Sequence, residues 1–138
     1  MSEEAFNHRL GEGMKAPINV TVLRVFAPLL LLVGALGFVM PDSMALTSGA
    51  TPYNVFHLLF GVVGLVALGT KELGPVRAFN VGFGLIDVYQ AVASLAGLWP
   101  KAWFQWKATD DVLHVVIGLG LVTVGLLADR AERAPQKA

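Results

Sequence analysis

Four apolar runs of near-spanning length limit what this chain can fold into. A helix needs about 20 apolar residues to cross a hydrocarbon layer of about 30 Å, and the sequence offers such runs at 18–40, 53–70, 76–98 and 110–128. Pro41-Asp42 stops the first run, which carries Pro28 as a candidate kink. Arg24 lies about one turn inside its edge, where a long side chain reaches the headgroups. Thr51-Pro52 reads as a cap followed by proline at a helix start, and Lys71 to Pro75 as a tight polar turn. Gly97, Trp99 and Pro100 close the third run. Trp103, Phe104 and Trp106 beside lysines read as an interfacial aromatic belt, with a ligand-gripping tryptophan cluster as the sharper alternative.

Composition agrees. The 138 residues are 55% hydrophobic and 14% charged, with a mean hydropathy of +0.64, far from the soluble norm. The expectation is an all-α, four-transmembrane-helix bundle in the lipid bilayer over residues 18–128, with polar tails at 1–17 and 129–138. Net charge is zero and the basic residues are scattered, which sets nucleic acid aside as a partner. The absence of cysteine removes disulfides, thiol chemistry and iron–sulfur clusters together. The polar start, with two glutamates, lacks the basic n-region of a cleaved signal peptide.

The runs carry an internal echo. Asn54-x-x-His57-x-x-x-Gly61 opens the second run, and Asp111-x-x-His114-x-x-x-Gly118 opens the fourth. Helical periodicity puts Asn54, His57, Gly61 and Gly64 on one face, and Asp111, His114, Gly118 and Gly125 on another. These two helices are expected to face each other. Leu23-Arg24-Val25-Phe26 is likewise echoed by Val76-Arg77-Ala78-Phe79. The chain therefore reads as two similar helical hairpins, a parallel internal repeat, with a longer connection in the second copy at the tryptophan loop. Seven basic residues fall on the side of the termini against Lys101 and Lys107 on the other, which predicts both termini in the cytoplasm and both histidines near the outer face.

The paired signatures resemble those of a bacterial family of small four-helix integral membrane proteins of unknown function. The likeness covers roughly Leu23 to Ala128. It implies the four-span fold in a bacterial inner membrane and brings no activity with it.

Chemistry is thus read from the residues. His57 and His114, facing each other, form a donor set for haem, a metal ion or a chlorophyll-type pigment. Asn54 and Asp111, three residues earlier, are candidate partners for the other ring nitrogens, and the glycines would leave room for a flat macrocycle. Against this stands plain packing, because small residues are how membrane helices approach closely and a buried histidine can simply hydrogen-bond. A pH-sensing role is a third reading. In the third run Asn80, Gly84, Asp87, Ala91 and Ser94 recur at helical steps, with Gln90 beside them. Asp87 is the deepest ionisable residue, and a track from Asp87 through Gln90 and Ser94 to the histidines is a candidate for proton passage or for a quinone-like head group. No nucleophile–base pair or phosphate loop is present. The leading expectation is a non-catalytic membrane protein, a small subunit of a larger complex. The alternatives are a cofactor protein using His57 and His114, and a proton-linked module centred on Asp87 that would act as a homodimer.

Overall fold

The computed structural model describes residues 16–130, and the tails at 1–15 and 131–138 lie outside the described residues. It is all-α: α1 (Ile18–Val39), α2 (Thr51–Gly69), α3 (Leu73–Ala96), a single turn α4 (Lys101–Phe104) and α5 (Ala108–Leu127). Four of these helices are long and apolar enough to cross a membrane, with lengths of about 28–36 Å at 1.5 Å per residue. The protein is a multi-pass membrane protein. Its surface is apolar where a soluble protein's would be polar, with Val25, Leu32, Val62 and Leu95 all exposed.

Local chemistry explains the boundaries. Proline stands at the start of α2, where no intrahelical N–H partner is lost. The same logic corrects the expected turn at Lys71–Pro75. Helix α3 begins at Leu73 with Pro75 inside its first turn, because N–H groups there have no acceptor to lose. It ends at Gly97, whose φ of 71° needs no Cβ, and Leu98 N donates to Ala93 O at 2.8 Å to close the end. The tryptophan loop contains α4, which the sequence reading did not anticipate.

Within each hairpin the helices pack along their length, α1 on α2 and α3 on α5, whereas contacts between the hairpins are sparse. Glycines set the closeness. A Cβ on Gly84 would stand 2.8 Å from the Gly118 carbonyl oxygen, and one on Gly118 equally close to that of Gly84. On the other hairpin, a Cβ on Gly34 would meet the Asn54 carbonyl and one on Gly64 would meet Ala27. The glycine stripes are thus spent inside the hairpins. Helices α2 and α5 do not pack face to face as expected, because each glycine face is already taken by its hairpin partner.

Helix α3 is the centre. Half of its spanning window is buried, against a third or less in the others, and its hydropathy is the lowest of the four at 1.2. Its polar residues Asn80, Asp87, Gln90 and Ser94 are all buried. Below Asp87, Gln90 and Ser94, the side chains of Phe26, Phe79 and Phe83 form an aromatic layer, with Phe79 stacked on Phe83 at 5.5 Å and Phe26 edge-on to Phe83 at 5.5 Å. At the end of the bundle nearer the termini, Asp129 accepts from the backbone N–H groups of Ile18 and Asn19 at 2.8 and 2.9 Å, and from Asn19 Nδ2. Asp129, the first residue of the expected polar tail, therefore caps α1 from the turn that follows α5. Asn80 Nδ2 completes this lock by donating to Asn19 Oδ1 at 3.0 Å.

Gly118→Ala should lower unfolding stability by about 1–3 kcal/mol through overpacking against backbone. Gly120→Ala, whose Cβ meets nothing within 4 Å, should raise it by up to about 1 kcal/mol through helix propensity. Helical circular dichroism in mixed micelles checks both. Equal effects would remove the glycine contact as the determinant of α3–α5 packing.

Candidate functional site

The start of α2 and the start of α5 lie at the same end of the bundle, and their side chains meet over the buried middle of α3. Tyr53, one turn before His57 on α2, is the pivot. Its hydroxyl lies 2.6 Å from His114 Nε2 and 3.2 Å from Asp110 Oδ1. Its ring packs edge-on against both imidazoles, with centroids 4.3 Å from His57 and 5.9 Å from His114. Tyr53, Asp110 and His114 are each 5% exposed or less.

The hydrogen-bond roles follow from what each atom can do. His57 Nδ1 lies 2.9 Å from the Tyr53 carbonyl. A carbonyl only accepts, so Nδ1 carries the hydrogen and Nε2 of the neutral ring is left as an acceptor. The Tyr53 hydroxyl has one hydrogen and two partners. When Asp110 is ionised, Tyr53 donates to it and His114 Nε2–H donates to Tyr53. When Asp110 is protonated the direction reverses, and Tyr53 donates to His114. His114 Nδ1 and Asp111 Oδ1 are buried without partners.

Asp110 also holds the roof. Its Oδ2 accepts from Ser48 N at 2.9 Å and from Lys107 N at 2.8 Å, the latter closing the first turn of α5 as a capping box does. Ser48 Oγ donates to Phe104 O, Thr109 Oγ1 to Leu46 O, and Lys107 Nζ to the Asp42 and Ala45 carbonyls. The 42–50 loop is thereby fastened to the 104–110 segment.

Beneath the roof lies a cavity of about 60 Å³, with Tyr53, His57, Asp87, Asp110 and His114 among its lining residues. Asp87 Oδ1 accepts from Gln90 Nε2 at 3.2 Å, and Gln90 Oε1 accepts from Trp106 Nε1 at 3.2 Å. Trp106 is thus buried against Gln90 and His114 instead of standing in an interfacial belt with Trp103, which is exposed.

The sequence-derived candidates divide accordingly. His57, His114 and Asp87 come together about one cavity. Asn54 does not orient His57: its amide donates to Gly49 O at 3.2 Å, and the ring takes the Tyr53 carbonyl instead. Asp111 leaves its neighbour Asp110 to make the contact with Tyr53. Ser94 is buried but outside the cavity lining, and its carbonyl accepts from Lys101 Nζ, so the expected track bends from Gln90 to Trp106. Tyr53 and Asp110 are the residues that sequence reading missed. Both precede a histidine by four residues, the other helical spacing that shares its face, and Asp110 stands at the third position of its helix, where an acidic residue closes a capping box.

A macrocycle does not fit here. The cavity admits about four to six water-sized groups at about 10–15 Å³ each, Tyr53 lies against both imidazoles, and the glycines expected to make room are filled by helix contacts. Among the described residues no three His, Asp or Glu side chains form a metal-holding group. The chain matches no family model, no curated protein and no solved structure.

Tyr53→Phe should destabilise the protein by about 1–3 kcal/mol, since it strips buried acceptors of their shared partner. A double-mutant cycle with Asp110→Ala should return a coupling of at least about 0.5 kcal/mol. Additive losses would mean that the two side chains act independently.

Proposed function

We propose that this is a non-catalytic bacterial inner-membrane protein with a proton-linked role, serving as a small subunit that takes up a proton at the histidine end of the bundle. The single observation that carries this reading is the Tyr53 hydroxyl shared between Asp110 and His114 at a cavity that also holds His57 and Asp87. A protonated Asp110 gives its proton to the Tyr53 oxygen while the Tyr53 hydroxyl hydrogen passes to His114 Nε2. The carboxyl becomes a carboxylate, the imidazole an imidazolium, and tyrosine is restored. The move needs no displacement of heavy atoms, because every partner is already within hydrogen-bond reach. Asp87, a turn or more deeper, is the next acceptor facing the cavity.

Orientation follows the distribution of basic residues, seven of them on the side of the termini. This supports cytoplasmic termini and a histidine end facing outward. The likeness to the bacterial family supports the membrane assigned and adds nothing about the chemistry.

Trp106 is a built-in reporter, because its ring lies 6.2 Å from His114 and an imidazolium quenches a neighbouring indole. In a Trp99→Phe/Trp103→Phe background reconstituted in nanodiscs, Trp106 emission should titrate as a single proton step. His114→Gln should abolish the step, and Tyr53→Phe should displace it or slow its approach after a pH jump. Emission that stays flat over the whole pH range in which helical content is unchanged would sink the proposal.

A further inference from the structure

The cavity has a rim that faces hydrocarbon. Helices α1 and α5 touch near the Asn19 end, where Asn19 Nδ2 donates to Val124 O, and make few other contacts along their seam. Leu29 and Val33 of α1 and Leu113 and Ile117 of α5 line the cavity, yet Leu29 is 44% and Leu113 41% exposed. Side chains that border a cavity with one edge and the outer surface with the other mark its mouth. The route from the loop end is roofed by the 42–50 segment, with Thr47 in the lining and Ser48 pinned to Asp110. The floor is the Phe26–Phe83 pair. What remains is a lateral crevice between α1 and α5, at the depth of the first two turns below the histidines.

We propose that this crevice binds the head of a single-chain membrane alcohol, with the hydroxyl donating to His57 and the apolar chain leaving between α1 and α5 into the bilayer. The polarity of the free groups selects the head. His57 has its donor committed to the Tyr53 carbonyl, so its remaining nitrogen, on a ring lining the cavity, accepts. Asp87 adds carboxyl oxygens, one of them already held by Gln90. The Tyr53 hydroxyl is spent between Asp110 and His114. A head that offers only carbonyl or ether oxygens would leave the His57 acceptor unpaired in a water-poor site, whereas a hydroxyl satisfies it. Volume selects the rest, since room for about four to six water-sized groups takes a hydroxyl and its first few carbons. It excludes a glycerol backbone with two chains. The rim side chains then meet the continuing chain with apolar surface of their own kind. Straight-chain and isoprenoid alcohols share this chemistry, and the site does not require proton exchange to hold either.

The test is an affinity at one fixed pH, so it stands or falls apart from the proton-linked reading. The single-Trp106 protein in nanodiscs is titrated with 1-dodecanol, with farnesol and with dodecyl methyl ether, which keeps the chain and oxygen but has no hydrogen to donate. A saturable change in Trp106 emission is expected with one or both alcohols and none with the ether, and the alcohol that saturates at the lower mole fraction identifies the chain type. His57→Phe should weaken the alcohol at least tenfold. Val33→Phe, which narrows the mouth without touching the polar groups, should do the same while leaving helical content unchanged. Equal binding of ether and alcohol, or unchanged affinity in both variants, would overturn the proposal.

Discussion

Inside a bilayer there is no water to satisfy a polar group, so every polar side chain must find its partner within the bundle. This fixes the layout around α3. Asn80, Asp87, Gln90 and Ser94 make it the least hydrophobic of the four spans, and it is also the most buried. The other helices give it cover. Each exposes many apolar residues to lipid and turns small or polar ones inward: Asn19 and Gly34 from α1, His57 and Gly61 from α2, His114 and Gly118 from α5. These small and polar residues share the interior with a few large apolar ones, among them Leu23, Leu30, Phe79 and Phe83.

The two hairpins touch each other lightly, and carboxylates do much of the joining. At one end Asp129 of the segment after α5 receives the first two free N–H groups of α1, which complements the positive end of that helix dipole. At the other end Asp110 receives backbone N–H groups of Ser48 and Lys107 together with the Tyr53 hydroxyl, so one carboxylate connects the α1–α2 loop, the start of α5 and the start of α2. A charge-assisted bond to a backbone N–H is among the stronger hydrogen bonds a protein makes. The consequence differs between the ends. The bonds of Asp129 to Ile18 and Asn19 fasten the start of α1 to the segment after α5. Asp110 is bonded to a tyrosine that is itself bonded to a histidine, so a proton arriving there alters both the roof and the site.

Much of this fold was legible before any coordinates. Four apolar runs gave four spans to within a few residues, because membrane thickness and helix rise leave little freedom. His57, His114 and Asp87 were legible as a group because a titratable residue deep in an apolar run must turn inward. Facing was the harder matter. Glycine and histidine share one stripe on α2 and on α5, and periodicity alone cannot say whether a stripe meets its hairpin neighbour or the other hairpin. Here the glycines meet the hairpin neighbour and the histidines, one turn away, reach the cavity. The same ambiguity put Asn54 and Asp111 in place of Tyr53 and Asp110. Positions three and four before a histidine both lie on its face, and only the geometry of Tyr53, reaching across to α5, decides between them. Trp106 was misread for a similar reason, since an indole beside lysines suits an interface equally well until Gln90 is seen to accept its N–H.

The aromatic layer gives the polar interior a direction. Phe83 lies on α3 between Asn80 and Asp87, and it packs against Phe26, Phe79, Phe56 and Phe60 at centroid distances of 5.1–5.9 Å. The packed rings of Phe26, Phe56, Phe60, Phe79 and Phe83 thus stand between the Asn19–Asn80–Asp129 lock and the Tyr53–Asp110–His114 cluster. The bundle therefore has one polar well, closed beneath by phenylalanines and above by a loop that its own Asp110 holds down. A through-channel would need that layer to part, at the cost of the ring contacts that also hold α1, α2 and α3 together. A well with a single closed floor is suited to loading and unloading from one side. That is the behaviour expected of a subunit that exchanges protons or a lipid head group with a neighbour, and it requires no path through the bundle.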